Sequence, residues 1–375
     1  MSFIDHIGAI FMPKKSFFDK EASLALKGIA IMMMMLHHNF RAHSLFDKYT
    51  ISFYPFNEQQ VVNLATSCKI CVSLFAFISG YGLFLSCRRS NTNPSKWFAK
   101  RYILTFSGFW FVWVASAIIT QLVDGRLIKI LCKEDIYKSI MYIITDFLGL
   151  AKLFHTPTLN GTWWYMSAAA VFILMIPVLY NKFKDYLWPF LFLEIAFIRI
   201  IHTDFSEIIS ESQSVYAFLI PLTLGVIFAN YGYLERWCSF GSGKIWVKLI
   251  KFAIELPILF MLYKMYRFIP LSVFREYHTG LYPIAFILFV VEFVLPLTPI
   301  RKVLGFFGKH SMNVFLTHTF IRAYYLPDFT YSWKHFALIC LVLLIVCTAI
   351  SIVIEAIKSL LRYNKLVGKL TSLCD

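Results

Sequence analysis

The chain has 375 residues, of which 59% are hydrophobic and only 15% charged. Soluble domains run near 45–50% apolar and about 25% charged, so this balance belongs to a membrane protein and excludes an ordinary soluble enzyme. The net charge of +15 does not signal a nucleic-acid partner, because the basic residues sit in short clusters between apolar runs, the pattern that orients membrane spans.

Residues 1–21 read as a basic amphipathic tail, with Ile4, Ile7, Ile10 and Phe11 at near-helical spacing for a membrane surface. The charged stretch with Lys14, Lys15, Asp19 and Lys20 precedes the first apolar run, which lacks a small-residue cleavage site and is expected to remain as the first span, about 22–40. That span contains KGIAIMMMMLHH, which places Lys27 and His38 eleven residues apart. At about 100° per residue, eleven residues make three turns plus about 20°, so the two share a face roughly 16 Å apart along the axis. Ionisable groups in apolar runs are costly, and in membrane helices they usually line a cavity. A neutral imidazole such as that of His38 is suited to taking a proton from an alcohol as it attacks a carbonyl.

The second span, about 61–86, holds FISGYG, where Gly80 and Gly82 permit close approach of a helix or ligand. Arg88, Arg89, Lys96, Lys100 and Arg101 form the densest basic loop, and the third span, about 102–122, begins directly after Arg101. An arginine there can turn into the bundle and hold a phosphate in its fork, or serve only to orient the chain. The stretch 136–154 is too short and too polar, with Asp146 and Lys152, to cross; it reads as re-entrant or interfacial. The fourth span, about 163–180, opens GTWWYMS, and Trp164 and Tyr165 suit either an interface belt or the wall of an acceptor cavity.

The remaining spans are expected at about 187–202, 214–231, 246–264, 280–297, 310–326 and 335–357, with an acidic loop holding Asp204, Glu207 and Glu211 before the sixth. Glu194 and Arg199 pair on the fifth; Glu255 and Glu292 each need a cationic partner or a raised pKa. In the ninth, Ser311 and His318 share a face, but seven residues is about 10 Å of rise, too far for a nucleophile–base pair. Ser311 and Asn313 suit interhelical hydrogen bonds. The fold class is therefore all-α, a polytopic membrane protein of about ten spans plus a re-entrant segment. Loops that this count places on the N-terminal side carry more Lys and Arg than the opposite loops, which puts both termini in the cytoplasm. The domain division is a tail (1–21), one transmembrane domain (22–358) and a basic C-terminal tail (359–375). Cys68 and Cys71 form a CxxC with no second pair, read as two small apolar residues rather than a zinc or redox site, and no metal site is expected. P-loop, GxSxG and HExxH patterns are absent.

Six stretches, in order, resemble the acyltransferase-3 family of integral membrane acyltransferases: LKGIAIMMMMLHHNF, VSLFAFISGYGLFL, KWFAKRYILTF, GTWWYMSAAAVFILMIPVLY, FLIPLTLGVIFAN and GKHSMNVFLTHTFI. The resemblance covers about 22–357. It implies a multi-pass protein of the plasma (bacterial inner) membrane that moves an acyl group, most often acetyl, from cytoplasmic acyl-CoA to a hydroxyl of a cell-envelope polysaccharide or lipid-linked glycan. No permanently bound cofactor is implied; acetyl-CoA or another acyl-CoA is the donor substrate, with membrane lipids and the glycan acceptor as the other partners and no nucleic acid. It implies that His38, rather than His37, is the catalytic base. Lys27, Lys100 and Arg101 would hold the donor, and Trp164, Tyr165, Ser311 and His318 would meet the acceptor. Two positions depart from the family pattern. Lys27 stands where arginine is frequent, and Leu104 stands where a second arginine often follows Arg101 at three residues. A transporter of a glycan or lipid precursor is the alternative, since many spans and buried charges also suit transport, although no paired repeat is visible.

Overall fold

The computed structural model describes residues 18–90, 92–204, 213–266, 268–269 and 274–374. The amphipathic N-terminal stretch and Glu207 and Glu211 of the acidic loop lie outside them. Among the described residues the α-helices of eight residues or more are α1 (Lys20–Phe40), α2 (Glu58–Ser67), α3 (Cys71–Arg88), α4 (Pro94–Asp124), α5 (Ile136–Phe147), α6 (Trp164–Val178), α7 (Leu187–Asp204), α8 (Leu219–Tyr231), α9 (Ile245–Met265), α10 (Tyr282–Phe289), α11 (Thr298–Thr319), α12 (Phe336–Leu360) and α13 (Tyr363–Ser372). Among the described residues there is no strand, only an isolated bridge between Ser52 and His335. The chain is all-helical, as its composition requires.

Helices occupy most of every expected span, the second being divided between α2 and α3 and the ninth beginning inside α11, but by length and apolarity five rather than ten qualify to cross. Five helical stretches are long and apolar enough to cross a membrane: Glu58–Arg88, Pro94–Asp124, Gly161–Phe183, Tyr277–Val294 and Phe336–Leu360. α8 is apolar but shorter. The outward faces are hydrophobic; on α4, Leu104, Ile118, Ile119, Leu122 and Val123 are exposed, as lipid-facing residues must be. The stretch read as re-entrant or interfacial contains α5, whose 12 residues rise about 18 Å, against roughly 30 Å of hydrocarbon. Ile136, Ile140 and Ile144 make an exposed apolar stripe along it.

The chain divides into two compact units. The first comprises residues up to Gly82, Ile220–Ser311 and Tyr331–Leu341; the second, Leu83–Leu219, Met312–Thr330 and Val342 onward. In the first unit α1 begins at Asp19, whose carboxylate accepts from the Ala22 N–H at 2.8 Å as an N-cap and is also paired with Arg301. α2 begins with a reciprocal cap, Asn57 accepting from the Gln60 N–H and Gln60 from the Asn57 N–H. Two helix contacts in this unit are backbone to backbone. A Cβ on Gly28 would overlap the Leu304 carbonyl oxygen, and one on Gly308 the Leu24 carbonyl, so α1 and α11 touch without side chains between them. α3 and α8 repeat the device, with Gly80 against Leu222 and Gly225 against Phe77. Gly82, expected to share this role, has nothing within 4 Å of a would-be Cβ.

In the second unit α4 starts with Asn93 as cap and Pro94 in the first turn, and stops at Gly125, whose φ of 71° only glycine adopts readily. Its 31 residues rise about 46 Å, so its ends project beyond the hydrocarbon. The basic C-terminal tail carries a helix of its own. α12 runs to Leu360, Arg362 turns the chain with φ 52°, and α13 docks on α4 through Tyr363, whose hydroxyl donates to the Ser107 carbonyl at 2.9 Å.

Candidate active site

α1 carries the charged and imidazole groups singled out from the sequence, and it is unbroken from Lys20 to Phe40, so the expected offset between Lys27 and His38 holds. Lys27 follows the buried Leu26 and precedes Gly28, where the backbone of α11 closes in. Its side chain is half-buried, and no ion pair reaches it among the described residues. A cation held in such a place lacks the anion that would offset its desolvation, which makes it a ready partner for an anionic ligand.

The two histidines differ. His37 is buried, 6% exposed, and its Nδ1 lies 2.8 Å from the Ala65 carbonyl of α2. A carbonyl can only accept, so Nδ1 carries the proton and donates. Ala65 is among the last four residues of α2, whose carbonyls have no donor within their own helix, so His37 closes that helix end. His38 is half-buried, and its ring meets that of His37 edge-on at 5.3 Å. The structure thus ties the His37 imidazole to the end of α2, while His38 is half-buried on the face that carries Lys27.

In the second unit Arg101 is held from two sides. Its guanidinium donates to the Ser86 hydroxyl and lies over the Trp97 ring, 5.9 Å from its centroid. Lys100 beside it is half-buried. Leu104, where a second arginine is frequent in the pattern, points outward and is 45% exposed, so its substitution leaves no hole in the core.

Trp164 and Tyr165 open α6 and are both half-buried. Trp164 packs against Phe218 at 5.7 Å, and Tyr165 meets Phe315 at 5.8 Å. Phe315 in turn lies 6.3 Å from His318, so these residues form one aromatic wall in this unit. His318 itself is fully buried. Its Nδ1 donates to the Phe315 carbonyl at 2.7 Å, and its Nε2 accepts from the Thr319 hydroxyl at 3.2 Å. Ser311, in the first unit, donates to the Gly308 carbonyl at 2.8 Å within its own helix, not across helices as expected. Either side chain would have to leave its present partner to touch an acceptor directly. Asn313 does bond across helices, to Ser351 at 3.0 Å and Glu355 at 2.9 Å.

Three supports were not foreseen. Asp146 is buried, and one carboxylate oxygen accepts from Trp113 Nε1 at 2.8 Å and from the Leu159 N–H at 3.1 Å. It therefore anchors the loop leading to Trp164. Asn160 caps the turn after that loop, accepting from the Thr162 N–H at 3.1 Å. Trp163, not its neighbours, is the buried tryptophan, and its indole donates to the Leu316 carbonyl at 3.1 Å. The only advance signal was an acidic residue in an apolar run. Of the two carboxylates expected to need partners, Glu292 has one, a buried ion pair with Lys251 at 3.3 Å. Both oxygens of Glu255 lack a hydrogen-bond partner among the described residues. The cysteines are all free, and no group of three metal-ligating side chains gathers among the described residues.

These features belong to no single reaction by themselves. A family model described as an acyltransferase domain matches residues 23–356. No curated protein and no solved structure matches the chain.

Proposed function

The chain belongs to the acyltransferase-3 family, a group of multi-pass membrane acyltransferases, and on that premise we propose that it transfers an acetyl group from cytoplasmic acetyl-CoA to a hydroxyl of a cell-envelope glycan or its lipid-linked precursor. The observation that carries the reading is the match along nearly the whole chain, in which the paired Lys27 and His38 of α1 lie inside the matched region. The proposed topology is ten spans in the plasma membrane with both termini cytoplasmic, which puts Lys27 toward the cytoplasm and His38 toward the outside.

In this proposal Lys27, Lys100 and Arg101 meet the phosphates of the donor. Lys27, without an ion-pair partner among the described residues, and the fixed guanidinium of Arg101 support that role. The pantetheine arm is comparable in length with the rise of roughly 16 Å between Lys27 and His38, so one molecule can reach both. His38 takes the proton of the acceptor hydroxyl while the oxygen attacks the thioester carbonyl. The C–S bond breaks, coenzyme A leaves as its thiolate, and the proton passes from His38 to the leaving sulfur. Trp164, Tyr165, Ser311 and His318 are assigned to the acceptor, with Ser311 and His318 exchanging their present hydrogen bonds for it.

Purified protein in detergent, supplied with radiolabelled acetyl-CoA and membrane lipid extract, should move label into a glycan or glycolipid fraction. Arg101→Gln should raise the KM for donor several-fold with little change at saturation. Absence of both coenzyme A binding and label transfer in folded protein would overturn the reading.

A further inference from the structure

The first unit holds a second set of cations that the donor does not use. Arg41 caps the C-terminal end of α1, one turn after His38. The Thr66 hydroxyl donates to the Arg41 carbonyl at 3.2 Å, which ties this end of α1 to the α2 end that Lys69 follows. Lys69 lies in the short turn Cys68–Ile70 between α2 and α3. Its ammonium interacts electrostatically with both Arg41 and Arg275, and with His278. Besides these cations only the Cys71 thiol acts on Lys69, and Glu276 is the acid that acts on Arg275. Lys69 is solvent-exposed, while Ile70 beside it is buried, so the ammonium stands at the edge of the apolar packing.

Like charges within electrostatic range of one another are unfavourable unless an anion joins them. Two polar atoms beside them are also unsatisfied. Arg275 Nε and His278 Nδ1 are buried and have no hydrogen-bond partner among the described residues. His278 is 6% exposed, and its Nε2 donates to the Ile269 carbonyl at 2.8 Å, which leaves Nδ1 to gain a proton and become a further donor when an anion is present. His278 stands in a π-helical turn, Tyr277–Leu281, a local widening frequent at functional sites. The neighbours on either side are apolar: Ile70 next to Lys69 and Tyr277 next to His278 pack with Leu262 and Tyr282 in one buried cluster.

We propose that Arg41, Lys69, Arg275 and His278 bind the phosphate or diphosphate of a lipid-linked sugar, and so select the acceptor. The assignment rests on the acyl-transfer reading above, in which His38 is the base. Residues three apart on a helix have Cβ atoms about 5–6 Å from each other. An anion clamped at Arg41 therefore puts the attached sugar within reach of His38. The apolar cluster beside the cations suits the lipid. Lys27, the donor cation, is roughly 21 Å along α1 from Arg41, so donor and acceptor charges would meet opposite ends of one helix.

The test uses the purified full chain in neutral detergent, with farnesyl diphosphate as the probe, farnesol as its uncharged counterpart, and coenzyme A as the donor-side control. Farnesyl diphosphate should raise the melting temperature and farnesol should not. Lys69→Gln and Arg275→Gln should each weaken farnesyl diphosphate binding at least tenfold while leaving the Kd for coenzyme A unchanged, and Lys69→Arg should keep most of it. Equal effects of farnesyl diphosphate and farnesol, or unchanged binding in both glutamine variants, overturns the proposal. Competition between farnesyl diphosphate and coenzyme A, with both weakened by the variants, overturns it in favour of a donor site. Displacement of the probe by phosphatidylglycerol but not phosphatidylcholine in nanodiscs overturns it in favour of an annular lipid site. If the wild type binds farnesyl diphosphate as stated but transfers no label, the acyl-transfer reading fails and the anion site stands.

Discussion

Replacing His37 and His38 separately by alanine separates scaffold from chemistry on adjacent residues. His37 is 6% exposed and donates from Nδ1 to the Ala65 carbonyl at 2.8 Å. Removing the ring strands a buried acceptor at the end of α2, which costs about 1–3 kcal/mol, and leaves a small void beside α1. The two together should cost about 2–4 kcal/mol, a large share of a total stability of about 5–15 kcal/mol. His38 is half-buried, and its loss should cost less than about 1 kcal/mol. Thermal melting of the purified variants in detergent, followed by tryptophan fluorescence, should show His37→Ala melting several degrees below wild type and His38→Ala close to it. His37→Asn should recover part of the loss, because its amide nitrogen falls near the position of Nδ1. In the label-transfer assay, His38→Ala should retain under about 1% of the wild-type rate, a loss typical of removing a general base. The reasoning is refuted if His37→Ala melts like wild type, or if folded His38→Ala turns over near normally.

Three further outcomes follow from the same geometry. Gly28→Ala and Gly308→Ala should each abolish the folded state or drop yield severely, since the added Cβ meets backbone oxygen, while Gly82→Ala, with open space, should behave as wild type in size-exclusion profiles. Asp146→Ala should leave Trp113 Nε1 and the Leu159 N–H unpaired and cost about 2–5 kcal/mol, visible as an altered near-UV circular dichroism spectrum and a lower melting temperature. Asp19 is held below the usual carboxylate range: burial alone would raise it, but the Ala22 N–H and Arg301 outweigh that. Its folded pKa is thus lower than its unfolded value of about 3.9, so its contribution is complete above that value and fades as the pH falls through the folded pKa. Asp19→Ala should remove that acid-side component from the melting profile and cost about 1 kcal/mol as a lost helix cap at neutral pH; an unchanged acid slope would count against the assignment.

Length and hydrophobicity alone determined that this chain is a helical membrane protein, because apolar runs of this length leave the backbone no other way to satisfy its polar groups in lipid. The spacing of Lys27 and His38 was equally legible, since a helix converts eleven residues into one face without help from the rest of the fold. The short α5 could also be anticipated, from Asp146 and Lys152 in a run too brief to cross. What the side chains of α1 actually touch was not legible. The identity of His37 as scaffold depends on Ala65, 28 residues away, and the backbone contact at Gly28 depends on Leu304. Ser311 shows the same limit from the other side, because a hydroxyl that could reach a neighbouring helix bonds to its own. The gathering of Arg41, Lys69, Arg275 and His278 comes from three separated stretches, and no local pattern links them. Periodicity acts within a helix and is written in the order of residues. Which helix faces which is decided by packing between distant segments, and only the tertiary structure states it.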